Sequence, residues 1–221
     1  MKSLFRILFG KRLIQHPDSF ALTRSVLWNS IAKSIQLQQS IGKTVWLVVH
    51  FPETYLQCQE MLEGHDISYQ VETEKINEAW FLQTVGAPSS QTRLLLTDLM
   101  RPLKFESDPA FESEPKIAMM VVERHPHGPV NERLLRFAES IPCKVEVGHF
   151  LALDDEMVKQ MVPAQMVDLL KTMGLGDNDL ISSSMVTRII KRRIGQTTDR
   201  VGADQIANSA SEWLELQSAS D

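Results

Sequence analysis

The chain has 221 residues, 43% hydrophobic and 23% charged, with a net charge of −5. That length supports one substantial domain with appendages, and that composition excludes a disordered or fibrous chain. The acidic balance argues against nucleic acid as a partner, since backbone phosphates call for a basic surface.

Residues 1–15, beginning "MKSLFRILFGKRLI", mix Leu4, Phe5, Ile7, Leu8 and Phe9 with Lys2, Arg6, Lys11 and Arg12. Arg6 and Lys11 interrupt the apolar core that a secretory signal needs. Two readings stay open for this basic amphipathic segment. It can dock its Leu/Phe face on its own domain, or lie on a membrane surface as a peripheral contact. Docking is favoured because the segment is short and Gly10 weakens a long helix.

Thr23 or Ser25 can cap a helix through about Gln39, with Leu27, Ile31 and Ile35 on one face and Gly42 as a left-handed C-terminal cap. Residues 45–49 read as a buried strand, and Pro52 opens a helix with Tyr55, Cys58 and Leu62 inward that Gly64 stops. Then come a short strand 67–71, a helix 75–85 ended by Gly86-Ala87-Pro88, a strand 93–97 and a polar exposed loop 101–115. The strand 116–122, helix 131–139 and strand 145–153 complete the alternation, and helices 154–161, 163–173 and 182–194 follow. The tail 196–221 reads as polar and mobile, with one weak helix around Trp213. Strands alternating with helices imply a mostly parallel sheet with helices on both faces. The expected organisation is one α/β domain over 16–162 and a helical extension over 163–195.

Cys58 and Cys143 make no C-x-x-C pair and no disulfide framework, which suits a reducing cytoplasm. No apolar run reaches the length of a membrane span.

Gly42-Lys43-Thr44 has the letters that end a phosphate-binding loop. Such a loop needs a glycine five residues earlier, a strand before and a helix after. Here Leu37 holds the earlier position and an apolar strand follows, so these residues form a turn into the first central strand.

The segments, read in order, resemble the second nucleotide-binding fold of the preprotein translocase motor SecA. "HPDSFALTRSVLWNSIAKSIQLQQSIGKTVWLVVHFPET" is similar to that domain's opening helix and strand, and "NEAWFLQTVG" to its Arg-Glu-Ala-x-Ile-Ile-Ala-x-Ala-Gly helix. "VVERHPHG" resembles its Gly-Thr-Glu-Arg-His strand end, "HFLALDDEMVKQM" its Phe-Tyr-Leu-Ser-Leu-Glu-Asp-x-Leu-Met segment, and "MGLGDNDLISSSMVTRIIKRRI" its Met-Gly to Met-Val-Ser stretch. The likeness runs collinearly over about 16–200. It implies a RecA-like α/β fold of the P-loop NTPase superfamily type.

The departures concern chemistry. The family's first domain supplies the phosphate loop and magnesium-binding acids, and the chain has no equivalent. Its Gly-Arg-Gly-Thr-Asp loop is replaced by "TDLMRPLKFESD" (97–108), and its arginine-rich helix by "RLLRFAESIPCKV" (133–145). The family's arginines fall on Leu135, Phe137 and Ser140, with Arg133 and Arg136 nearby but turned around the helix axis. An arginine finger contributes roughly 10³–10⁵ in rate, so its loss implies no autonomous ATPase. Without glycines the loop backbone cannot approach phosphates closely.

Glu123, His125, His127 and His149 invite a metal reading, since His-x-His at a strand end can hold zinc. Against it, Glu-Arg-His belongs to the family's strand end, and Pro126 and Gly128 make a loop that can splay the rings. No metal, cofactor or catalytic residue is therefore assigned; Glu123, His125 and His127 stand as metal candidates, and a hydrolase on His125/His127 as an alternative function. Asp154, Asp155 and Glu156 read as the acidic first turn of a helix. Arg188, Lys191, Arg192 and Arg193 read as cations in a helix's last turns. Met157, Met161, Met166 and Met173 read as gap-filling core.

The expectation is thus a cytoplasmic interaction protein, in reach of the membrane, that binds the translocase motor or its channel and not nucleic acid. The alternative is a half-motor that binds ATP only with a separately encoded first domain.

Overall fold

Apolar runs with no alternation need cover on both faces, and the fold gives it to them. The computed structural model describes residues 12–86, 91–107, 109–111, 114–174, 176, 178–201 and 204–218. Residues 1–11 of the amphipathic segment lie outside these, and with them the choice between docking and membrane contact. Its last residues are strand: Leu13–Gln15 form β1.

At the centre of the sheet lies β3 (Thr44–Val49), paired in parallel with β5 (Thr92–Leu96) on one side and β6 (Lys116–Val122) on the other. Val45, Leu47 and Val49 face one core, while Trp46 and Val48 face the other, as a central parallel strand requires. Beyond β5 lies β4 (Tyr69–Val71), and beyond β6 lies β7 (Lys144–Ala152), both parallel. Helices α1 (Arg24–Ser40) and α2 (Pro52–Gly64) cover one face through Leu27, Ile31, Ile35, Cys58 and Leu62. Helices α3 (Glu78–Gly86) and α4 (Gly128–Ser140) cover the other through Phe81, Leu134 and Phe137.

Thr23 caps α1, its hydroxyl accepting from the Val26 amide at 3.3 Å. Gly42 ends the helix at φ +77°, where the amides of Gly42 and Lys43 donate to Gln39 and Gln38 carbonyls. The Gly-Lys-Thr triplet is therefore a helix stop and a strand start.

Beside β7, the edge is shared by β1 and β2 (Ser19–Ala21), laid end to end. Four residue steps separate Gln15 from Ser19, but only three separate their partners Val147 and Phe150. The extra residue makes a jog at His16-Pro17-Asp18, placing Pro17 where no ladder donor is needed and Asp18 in full burial. The short strand β8 (Ile181–Ser182) closes this side, antiparallel to β2.

The C-terminal extension comprises α5 (Glu156–Met161), α6 (Ala164–Thr172), α7 (Ser184–Arg200) and α8 (Ala210–Ser218). These helices build a third core with Phe20, Phe51 and Leu151, centred on a fully buried Trp213. Several expectations are corrected here. Within the stretch read as a polar tail, α7 runs to Arg200, and Trp213 is fully buried in α8, the helix expected around it. Arg188, Lys191, Arg192 and Arg193 consequently sit in mid-helix. Met173 is exposed, whereas Met157 and Met161 are core. Leu103, Phe105 and Phe111, in the stretch read as an exposed loop, pack on the α3/α4 face. Among the described residues, no helix is long and apolar enough to cross a membrane.

Candidate functional site

The chain leaves β3 towards β4 on one side of the sheet and leaves β6 towards β7 on the other. Outside the carboxyl ends of these two neighbouring strands the crossovers part, which is where open α/β sheets hold ligands. Three turns meet there: His50-Phe51 after β3, Glu123 to His127 after β6, and Asp154-Asp155 after β7.

Helix α4 fixes the β6 turn. Asn131 Oδ1 accepts from the His125 amide at 3.1 Å, and its Nδ2 donates to the carbonyls of His125 and His127 at 2.7 and 3.3 Å. The His127 amide donates to His125 Nδ1 at 3.0 Å, which leaves the proton of a neutral His125 ring on Nε2. His125 stacks on Phe51 at 4.8 Å between ring centres, and Trp213 stacks on His127 at 5.9 Å. Asp204 Oδ1 accepts from Trp213 Nε1 at 3.0 Å and lies 3.8 Å from His125 Nε2. Burial pulls His125 down to about 4, against the pull of Asp204. His50 is lowered well below its ordinary value by burial, and then by His125 and Arg124. Its Nδ1 lies 3.1 Å from Thr97 Oγ1 while its Nε2 has no partner among the described residues.

Arg124 turns towards the sheet edge. Its Nε and one terminal nitrogen donate to the two oxygens of Asp18 at 2.8 and 2.6 Å, and both side chains are almost wholly buried. His149 Nδ1 lies 3.3 Å from Arg124, and burial followed by that cation holds His149 well below its ordinary value. The Asp18 amide donates to Thr187 Oγ1 at 2.9 Å and its carbonyl accepts from Ser183, tying α7 to the edge.

Glu123 turns the other way. It has φ +67°, which is uncommon for a side chain with a Cβ, and it is 5% exposed. Thr54 hydrogen-bonds its carboxyl, but Oε1 has no partner among the described residues. Burial pushes Glu123 up to about 8, with Asp155 and Glu53 adding to the rise and Arg24 opposing it. Beside it opens a cavity of about 200 Å³, walled also by Arg24, Thr54, Asp155 and Ser211. Arg24 reaches Asp155 at 2.7 Å, so the acidic first turn of α5 does more than face a helix dipole.

The three metal candidates therefore do not converge. His125 and His127 share the Trp213 contact, Glu123 lines a separate cavity, and His149 joins the Asp18–Arg124 pair. Among the described residues, no three His, Cys, Asp or Glu side chains form a group that could hold a metal ion.

One backbone donor at the start of each crevice helix is also engaged within the chain. The Glu53 amide at the start of α2 donates to Asn208 O at 3.0 Å, and Pro52 has no N–H. The Gly128 amide donates to Thr198 Oγ1 at 2.8 Å. Of the positions matching the family's arginines, Phe137 is core and Ser140 bonds Leu103 and Phe137 backbone at 2.8 and 2.6 Å. Arg133 is held by Asp98 at 3.0 Å.

Sequence reasoning read Glu-Arg-His as a strand end and missed Asp18, His50, Asp204 and Trp213. The available signals were a buried-type aspartate in "HPDSF" and a lone tryptophan in a polar tail.

Sheet order, parallel pairing and helices on both faces define an α/β domain of the RecA-like type. No family model matches the chain, and no curated protein matches it. Among solved structures it is similar to the C-terminal domain of a possible DNA helicase from Lactobacillus plantarum WCFS1, at 9% identity and a TM-score of 0.38. That likeness covers 63% of this chain and 72% of that one.

Proposed function

We propose that this chain is a non-catalytic interaction protein: a motor-domain scaffold kept without motor chemistry, serving preprotein translocation by binding the translocase motor or its membrane channel. One observation carries the non-catalytic part. The amides at the starts of α2 and α4, the natural phosphate cradle of such a crevice, donate to Asn208 and Thr198 of the chain's own extension. The acidic cavity beside them adds repulsion for a triphosphate, and about 200 Å³ is below the usual size of a ligand pocket of this class. The export role rests on the collinear resemblance to SecA.

The test pairs two assays on the purified chain. ATP turnover and fluorescent-nucleotide binding are expected to stay at background, while interferometry against purified SecA and reconstituted channel is expected to give saturable binding to one of them. Turnover by the chain alone would overturn the non-catalytic reading, and binding to neither partner would overturn the export role. The half-motor alternative draws on Arg133, whose Nε is buried with no partner among the described residues. It requires turnover that appears on adding a separate first domain and disappears in Arg133→Ala.

A further inference from the structure

The cavity beside Glu123 has properties that neither the loss of nucleotide chemistry nor a docking role requires. Four carboxyl groups line it, from Glu53, Glu123, Asp155 and Glu156, against one guanidinium from Arg24. Arg24 is already engaged with Asp155 and with Gln57 Oε1 at 3.1 Å, so it leaves Glu123 Oε1 unpartnered. A buried carboxyl oxygen without a donor is a cost, and so is a non-glycine residue at φ +67°. Both costs fall on the one residue that lines the cavity from the end of a central strand.

We propose that this cavity is a binding site for an organic cation, an alkylammonium or guanidinium group, with Glu123 as its principal acceptor. The hydroxyls of Thr54 and Ser211 and the carboxyl of Asp155 supply further acceptors on the walls. The space, about 200 Å³, is several times the roughly 30 Å³ share of one water, so it suits a compact organic group. A bare divalent ion would need a tight shell of oxygens, and the described residues offer no such group. The site goes beyond the export reading and does not depend on it.

Charge makes a further demand. Glu123 faces Arg24 from α1, Glu53, Thr54 and Cys58 from α2, and Asp155 at the start of α5. With burial holding its carboxyl up to about 8, a bound cation favours the ionised form, so binding releases a proton and tightens as pH rises from 7 to 9.

The test is a titration of the full chain, followed by NMR at constant ionic strength, with methylammonium and methylguanidinium chlorides. Two capped tripeptides, acetyl-Gly-Lys-Gly-amide and acetyl-Gly-Arg-Gly-amide, form the second arm. Saturable binding is expected, weakened about tenfold or more in Glu123→Gln, the weight of one hydrogen bond to a charged group. Ser211→Met, which puts a bulky side chain on the cavity wall and leaves Glu123 in place, is expected to abolish it. Denaturation midpoints establish that both variants fold. A tripeptide that binds tenfold tighter than its small analogue assigns the cation to a partner protein's side chain, and equal affinity assigns it to a free amine. No saturable binding by any probe overturns the proposal, as does unchanged affinity in both variants, tightening as pH falls, or tighter binding of magnesium or calcium. No arm reads contact with the export machinery, so this inference and the proposed function fail separately.

Discussion

Glu123 and Arg124 are consecutive residues at the end of β6, both buried, and they have opposite fates. Arg124 meets Asp18 in a two-pronged pair, and with the Asp18 amide on Thr187 the result fastens edge strand, β6 and α7 together. Glu123 has the Thr54 hydroxyl beside its carboxyl, and its Oε1 has no hydrogen-bond partner among the described residues. One side of the strand end is a clamp, and the other is an acceptor held ready. Burial alone therefore says little about what a charged residue does; the count of its partners decides.

The largest expected effect comes from breaking the clamp on one side only. Arg124→Met leaves Asp18 buried and uncompensated, at a cost of about 3–5 kcal/mol in denaturant unfolding. The double variant with Asp18→Leu is expected to recover much of that loss, since it removes both charges together. Recovery of nothing would mean that the clamp acts through geometry and not through charge balance.

Trp213→Ala comes next, at about 3 kcal/mol, because it empties the third core and uncovers His125 and His127. If the unfolding midpoint barely moves, the extension is not what seals the crevice.

The buried histidines and Glu123 also differ in the sign of their pH dependence. His50, His125 and His149 are lowered by burial, so the unfolded chain takes up protons below about 6.5 that the folded chain refuses until near 4 for His125. Their contribution is present above 6.5 and is lost as pH falls. Glu123 is raised, so it stays protonated in the folded state while the unfolded state has ionised, and its contribution is lost as pH rises from about 4.5 to about 8. Between pH 7 and 8 the histidines add only about 0.1–0.2 kcal/mol each in the opposite sense, and stability is expected to fall by at most about 1.4 kcal/mol per pH unit. Glu123→Gln should flatten that limb; a slope unchanged in the variant would contradict the assignment. The smallest effect belongs to Asp98→Ala, below about 1 kcal/mol, because Asp98 is exposed and its pair with Arg133 is screened by solvent.

The sheet's centre was legible because parallel central strands must be apolar on both faces, and "TVWLVV" and "KIAMMVV" say so directly. Helix α1 was legible from its cap, its four-residue spacing and Gly42. The edge was not, because β1 and β2 hold three residues each and owe their pairing to β7 and not to their own pattern. The helix around Trp213 was legible, but the burial of its ring was not, because the surrounding tail is rich in Ser, Ala, Asp and Gln and reads as solvated whatever one ring does. The site itself was hidden for a different reason. The residues around its cavity come from five separated stretches, and the left-handed backbone of Glu123 has no glycine to announce it.

The jog that buries Asp18 has a consequence for how the chain is made. Its amide bonds a residue 169 positions later and its carboxylate one 106 positions later. On a ribosome, residues 13–21 therefore emerge long before β7, β8 or α7 exist to receive them. Strands β1 and β2 stay unpaired until β7 emerges, the clamp waits for Arg124, and the tie to α7 forms only after residues 183–187 are released, an order of assembly set by contacts far apart in sequence.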